Sequence, residues 1–403
     1  MSAGLPLEGV RVVDLTAMLA GPFATMILAD LGADVIKVEA PTGDFTRQQG
    51  PFTEDDELRA FGGYFQSINR NKRGIVLDLQ TLEGVRTLER LVDHADVLIE
   101  NYRNGVMERL GIPYERLSER NPRLVYACIR GFGDSRTGMS PYVDWPAYDL
   151  TTQAVSGVMA TTGDPDGPPQ KVGPGIGDTI PALFSVAGLL AALVQAKTTG
   201  EGAFVDVSMY DAMIAISERQ VYQYSYTGVV PGRFGSRHPL LSPFDVLRCS
   251  DGWVTVAAPS DKHWKLLCTL LDMPESLDDP RFATAPTRVT NGELVHELLE
   301  RWTCNRTKSE VVSLLGGRIP VGPVNTIEDI YADPHLAARK MLPSVAQPGT
   351  ARPVRVAGRP IKVLGVPEPP LRRAPLLGEH TAEVLAELAQ LDEHHPTYEE
   401  TRP

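Results

Sequence analysis

Val10-Arg11-Val12-Val13-Asp14-Leu15, a helical spacing over residues 22–31, and then Asp34-Val35-Ile36-Lys37-Val38-Glu39 decide the reading of the fold. Two short β-branched runs enclose a helix-length segment that closes near Gly32, which is the sign of a βαβ unit and therefore of a parallel sheet. The alternation continues. Residues 74–79, 97–100 and 124–129 read as strands, and residues 82–94 and 114–120 as helices. A doubly wound α/β sheet is expected. Such sheets hold ligands beyond the carboxyl ends of their strands, so chemistry should collect in the loops after Leu15, Glu39, Leu79, Glu100 and Arg130.

Across residues 224–243 the texture changes to Gly, Pro, Arg and Ser, as in a connection between domains. Beyond it, residues 244–249 and 253–258 flank Ser250-Asp251-Gly252, a hairpin signal, and helical stretches begin at Lys262, Glu293 and Ser309. Residues 354–363 read as a strand and 381–388 as a last helix returning to the first domain. The division is a large domain, 1–224 plus 331–403, with a smaller α+β domain, 225–330, inserted in it.

With 42% hydrophobic and 22% charged residues over 403 positions, the chain can bury a sizeable core and does not carry the signature of disorder. Its 39 basic and 51 acidic residues leave a net charge of −12, which opposes binding to nucleic acid or to anionic membranes. An anionic ligand must therefore meet a local basic patch. Cys128, Cys249, Cys268 and Cys304 are widely spaced without a CxxC pair, and residues 1–10 lack a secretory pattern, so a reducing cytoplasm is expected. The uncharged run 179–196 is long enough to raise the question of a membrane span. It contains Pro181, Ser185, Gly188 and Gln195, so it reads as a buried soluble helix. The histidines show no ligand spacing and no metal site is expected.

No G-x-S-x-G elbow, Walker A loop, HExxH or G-x-G-x-x-G opening a helix is present. The informative segment is Val172-Gly173-Pro174-Gly175-Ile176-Gly177-Asp178-Thr179-Ile180-Pro181, just before the apolar run. Its glycines allow close backbone approach. Pro181 suits a first helical turn, which puts Asp178 or Thr179 near the N-cap, where the helix dipole should lower the Asp178 pKa and keep it ionised. The residues alone leave two readings, a capping aspartate or a carboxylate nucleophile.

A resemblance bears on that choice. Leu7-Glu8-Gly9-Val10-Arg11-Val12-Val13-Asp14-Leu15, Ala20-Gly21-Pro22 and Leu31-Gly32-Ala33-Asp34-Val35-Ile36-Lys37-Val38-Glu39 resemble the opening of the class III coenzyme A transferases. So do Asn71-Lys72-Arg73-Gly74-Ile75-Val76-Leu77-Asp78-Leu79, Glu100-Asn101-Tyr102-Arg103, Arg109-Leu110-Gly111, Asn121-Pro122-Arg123-Leu124, Gly177-Asp178, and Val205-Asp206-Val207-Ser208-Met209-Tyr210-Asp211-Ala212. These landmarks run in order through roughly the first half of the chain.

The resemblance implies a Rossmann-like large domain, an interlocked homodimer of ring-shaped subunits, and acyl-CoA and small carboxylic acid substrates with no tightly bound cofactor. It implies that Asp178 is the nucleophile, passing through a mixed anhydride to an aspartyl-CoA thioester. Backbone N–H groups near residues 175–179 are then the expected oxyanion donors. It also implies that Leu19, Ala20, Ala40, Leu77, Asn101, Tyr102, Arg103, Arg109 and Tyr148 line the CoA channel, although Leu19 and Ala40 stand where some relatives carry Gln and Arg. Arg70, Lys72, Arg73, Arg103 and Arg109 are the cations placed to meet CoA phosphates. Related α-methylacyl-CoA racemases carry a histidine where this chain has Tyr148. A tyrosine, ordinarily near 10, is a poor proton-transfer group at neutral pH, so transfer is expected rather than racemisation. Formyl-CoA to oxalate transfer is disfavoured because Gly235-Ser236-Arg237-His238-Pro239 replaces a glycine run. Arg237 and His238 read either as a dicarboxylate site or as ordinary contacts. The competing class is a non-catalytic CoA-binding protein.

Overall fold

The computed structural model describes residues 4–57 and 59–394; the end of the C-terminal return, 395–403, lies outside the described residues. The chain divides into two compact units. Among the described residues, the first holds those up to 158, 172–222 and those from 335 onward, and the second holds 159–171 and 223–334.

The first unit is built on six strands, β1 (Arg11–Asp14), β2 (Asp34–Glu39), β3 (Arg73–Val76), β4 (Val97–Glu100), β5 (Val125–Arg130) and β6 (Ala203–Ser208). All neighbours are parallel, in the order β3-β2-β1-β4-β5-β6. The progression of strand order reverses between β1 and β4, where a doubly wound sheet opens its crevice. The helices that concern the site are α1 (Ala20–Asp30), α2 (Gly63–Ile68), α3 (Leu82–Asp93), α4 (Val106–Arg109), α5 (Tyr114–Arg120), α6 (Asp149–Val155) and α7 (Ile176–Thr199).

Strand alternation sends successive residues to opposite faces, so both faces must be apolar when both are covered. Val12, Val35, Val97 and Ile99 pack against α1 and α7 through Ala24, Leu28, Ala182, Leu189 and Leu193. Their neighbours Val13, Ile36 and Leu98 pack on the other face with Leu88, Leu91 and Leu117 of α3 and α5. Val384 and Leu388 of the C-terminal helix Thr381–His394 join that second face. The segment 354–363 does not form the expected strand. Only Val354–Arg355 pairs, with Ser344–Val345, because Gly358 and the prolines that follow interrupt any ladder.

The apolar helix α7 is buried along Ala182, Ser185, Val186, Leu189, Ala192, Leu193 and Ala196, while Leu183, Phe184 and Val194 remain exposed. It begins earlier than expected. Gly175 is its N-cap, so Pro181 lies inside the helix and Asp178 is its third residue, with no side chain capping the end.

Three cations expected at phosphates are structural instead. Arg70 binds Asp30, donating from Nη2 to Oδ2 at 2.6 Å, and donates from Nη1 to Ala357 O at 2.7 Å. Arg73 forks onto Asp34 and reaches Glu383 and Glu387 at 2.9 and 2.7 Å. Lys72 Nζ donates to Asp14 Oδ2 at 3.0 Å, Asn69 Oδ1 at 2.7 Å and Pro22 O at 3.0 Å. Burial lowers the Lys72 pKa to about 8, against the pull of Asp14. A buried cation is retained only when such partners replace its water.

The second unit carries an antiparallel sheet of β7 (Phe244–Cys249), β8 (Gly252–Ala257) and β9 (Val321–Pro323), with the expected hairpin between the first two. Leu247, Val254, Val256, Trp264, Leu267, Val295 and Leu299 form its core.

Removing one member of a fully buried ion pair leaves the other uncompensated, at a cost of about 3–5 kcal/mol. Lys72→Met is expected to lose about that much in urea unfolding, and adding Asp14→Asn should restore part of it. A loss below about 1 kcal/mol, the value of a surface pair, would mean that the pair is not structural.

Candidate active site

A cleft of about 250 Å³ opens at the carboxyl ends of β1, β4 and β5. Its walls are residues 17–20 after β1, 101–104 after β4, 129–131 at the end of β5, 143–149, and the side chains of Tyr64, Asp178 and Met209. The strand-order reversal thus positions it, as the sheet rule requires. Of the residues singled out in the sequence, Leu19, Ala20, Asn101, Tyr102, Arg103, Tyr148 and Asp178 line this cleft. The loops after Glu39 and Leu79 do not contribute. Ala40 is exposed beyond β2, and Leu77 is buried in the core beneath the sheet. Arg109 is an exposed residue at the end of α4, outside the lining, with its Nη1 against the turn at Gly105.

Each wall is held by a local device. Asn101 ties the β1 and β4 loops together: its Nδ2 donates to Ala17 O at 2.7 Å and its Oδ1 accepts from Ala17 N at 2.8 Å. Asn101 therefore shapes the cleft. The Tyr102 backbone N–H donates to Glu100 Oε2 at 2.7 Å, and burial followed by the Glu100 charge pushes the Tyr102 hydroxyl up to about 12. Arg130, at the cleft floor, donates to Glu100 at 2.6 Å and pairs with Asp134, so its charge is committed within the protein. Arg103 and Arg109 make no ion pair among the described residues. The N-terminus of α1 opens at Leu19 and Ala20 with no side-chain cap, an arrangement that favours an anionic group nearby.

Asp178 differs from expectation. Its carboxylate makes no hydrogen bond among the described residues, so it is not a cap. Its pKa is not lowered but raised to about 7, first by burial and second by the like charge of Asp149. A helix N-terminus is worth about 0.3–1 kcal/mol to a carboxylate, less than the tenfold change of one pKa unit. Desolvation and a neighbouring carboxylate outweigh it.

The expected oxyanion donors are also largely committed. The N–H groups of Ile176, Asp178 and Thr179 donate to Pro174 O and Gly175 O at 2.8, 3.2 and 3.0 Å, and Gly177 N donates to Asp149 Oδ1 at 2.8 Å. Two of the cleft residues not singled out in the sequence interact with Asp178. Tyr64 is brought in by α2, and its hydroxyl pKa is raised by burial and then by Asp178. Asp149 is the first residue of α6. Neither was read as a site residue, and only tertiary packing, with α6 on α7 and α2 on α1, brings them to Asp178. In the second unit Arg237 pairs with Glu293 at 3.2 Å, and the His238 ring packs at a tilt against Phe244.

Comparison with known proteins agrees with this architecture. The family model for CoA-transferase family III matches residues 7–381. The chain is 47% identical over 381 residues to the succinyl-CoA:mesaconate CoA-transferase of Haloarcula hispanica, covering 94% of this chain and 96% of that one. It is 40% identical over 393 residues to the succinate–glutarate CoA-transferase of Agrobacterium fabrum, covering 96% of each. A crystal structure of a CAIB/BAIF family protein from Brucella suis superposes with a TM-score of 0.85 at 38% identity, covering 96% of this chain and 100% of that one. The parallel six-stranded sheet, the cleft at its reversal and near full-length identity to named transferases lead to one conclusion: the chain belongs to CoA-transferase family III and is a class III CoA-transferase.

Proposed function

We infer that this transferase moves coenzyme A from a short dicarboxylyl-CoA donor to a second small carboxylic acid through an aspartyl-CoA thioester on Asp178. The observation that carries the reading is the Asp178 carboxylate, without a hydrogen-bond partner and half-buried on the wall of the cleft. In the first step a carboxylate oxygen of Asp178 bonds to the thioester carbonyl carbon, the C–S bond breaks, and CoA leaves as thiolate. The thiolate then attacks the Asp178 carbonyl of the mixed anhydride, releasing the donor acid as its carboxylate and leaving the aspartyl-CoA thioester. The acceptor carboxylate reverses the sequence and regenerates Asp178. Succinate-level donors are suggested by the names of the two relatives, both of which act on dicarboxylates. A water-poor site protects the anhydride from hydrolysis.

The phosphates of CoA need cations in an acidic protein. Arg103 and Arg109 fit because neither is consumed by a carboxylate among the described residues. The exposed Leu183, Phe184 and Val194 of α7 support a homodimer, since large apolar side chains left open to water on one helix favour a covering partner. Sedimentation should then give about twice the chain mass of 43.9 kDa, and a monomer at micromolar concentration would refute it.

Arg103→Ala and Arg109→Ala are each expected to weaken acyl-CoA binding by roughly 1.5–3 kcal/mol and to flatten its salt dependence in titration calorimetry. Unchanged affinity removes that residue from the site.

Enzyme mixed with succinyl-CoA alone should accumulate a covalent adduct that hydroxylamine converts to a hydroxamate on the peptide containing Asp178. Asp178→Asn should keep its melting temperature and form no adduct. An active Asp178→Asn variant that has not deamidated would overturn the nucleophile. A carboxyl group titrating near neutrality also suits proton transfer, which keeps the racemase reading in view. In deuterated water a 2-methylacyl-CoA should take up negligible α-deuterium; rapid enzyme-dependent uptake would favour the racemase.

A further inference from the structure

The turn leading into α7 is clamped at both ends from α6. Asp149 Oδ1 accepts from Gly177 N at 2.8 Å and from Gln153 Nε2 at 2.7 Å. Gln153 is fully buried and turns its Oε1 to accept from Val172 N at 2.8 Å. One carboxylate and one amide, a helical turn apart, therefore hold residues 172 and 177, and with them the backbone that presents Asp178. The packing is close. A Cβ at Gly177 would lie 2.7 Å from Asp149 O and 3.0 Å from its Cα, so only glycine allows α6 to approach.

We propose that Asp149 is a positioning residue for Asp178: its Oδ1, braced by Gln153, pins the Gly177 amide and keeps a negative charge beside the reacting carboxylate. This rests on the reading of Asp178 as the nucleophile. The groups that face Asp178 are Asp149 from α6 and Tyr64 from α2. Of the other charged groups in the cleft, Arg103 comes from the β4 loop, Arg130 is committed to Glu100 and Asp134, and Asp144 accepts from Asn104 at 3.0 Å. No cation thus appears among the groups that set the ionisation of Asp178.

The arrangement has a chemical consequence. Two carboxylates close together repel, and acylation of Asp178 removes one of the two charges. Forming the anhydride or the thioester therefore relieves a repulsion that the free enzyme carries. A carboxylate of raised pKa is also the more basic nucleophile. The deprotonated form must attack, so adduct formation should rise with pH through about 7, the value to which burial and Asp149 raise Asp178.

Asp149→Asn tests this because it keeps an oxygen for Gly177 and Gln153 while removing the charge. In full-length enzyme carrying carboxyl-¹³C aspartate, with Asp178→Asn as the assignment reference, the Asp178 titration midpoint should fall by about one pH unit in Asp149→Asn. Melting should remain at the wild-type temperature. The acid limb of adduct formation from succinyl-CoA should move by the same amount. Asp149→Ala, which loses the clamp as well, should lower the adduct rate at every pH, and Asp149→Asn should recover most of that loss above pH 8. An unmoved Asp178 midpoint in Asp149→Asn overturns the proposal. A midpoint that moves while wild-type enzyme forms no adduct upholds the role of Asp149 and refutes instead the reading of Asp178 as nucleophile.

Discussion

The cleft depends on a carboxylate that never meets water. Asp14, at the carboxyl end of β1, is fully buried and accepts from Thr16 N, Thr16 Oγ1, Thr25 Oγ1 and Lys72 Nζ. Burial acts to raise its pKa, but Lys72 and Lys37 overcome that and hold it below the usual range. Lys37 is equally buried and donates to Thr16 O at 2.6 Å and to Asp44 at 3.3 Å. Each of these charges would be costly alone. Together they lock the turn after β1, and that turn is a wall of the cleft.

That lock explains how an unfavourable backbone persists beside it. Met18 has φ 67°, a conformation that non-glycine residues seldom adopt. It is held between the Asp14 network and the reciprocal hydrogen bonds that join Asn101 and Ala17. Strain of this kind survives where the surroundings over-determine the chain. Asn101 comes from β4 and Asp14 from β1, so the clamp spans the reversal point of the sheet. Fold topology and site rigidity here have one physical origin.

The site itself is built by opposing electrostatic preferences. The helix dipole of α7 favours an ionised Asp178, while burial and Asp149 favour a protonated one, and the latter pair wins. A carboxylate that is poorly solvated and lacks hydrogen bonds is a more reactive species than a capped one. Arg103 lines the same cleft and has no carboxylate partner among the described residues.

Much of this was legible from residue order. The limits of β2 and β4, and of α5, were readable because strands covered on both faces are continuously apolar and because short turn signals close the helices. Gly177-Asp178 stood out as the candidate reactive segment through its resemblance, and the cleft includes Asp178. Strand β6 was not read as a strand, since its Ala203-Phe204-Val205-Asp206-Val207-Ser208 is only half-buried and carries no strong pattern. The roles of Arg70, Lys72 and Arg73 were misread for a different reason. Their partners Asp30, Asp14 and Asp34 lie 39 to 58 positions away, and Glu387 lies 314 positions from Arg73. A sequence displays charge but not what faces it. The amino-acid order determined the doubly wound sheet, because periodicity and turn chemistry are local. Tertiary structure alone decided which cations were consumed in the core and that Asp149 would raise Asp178, because ionisation depends on burial and on neighbours distant in the chain.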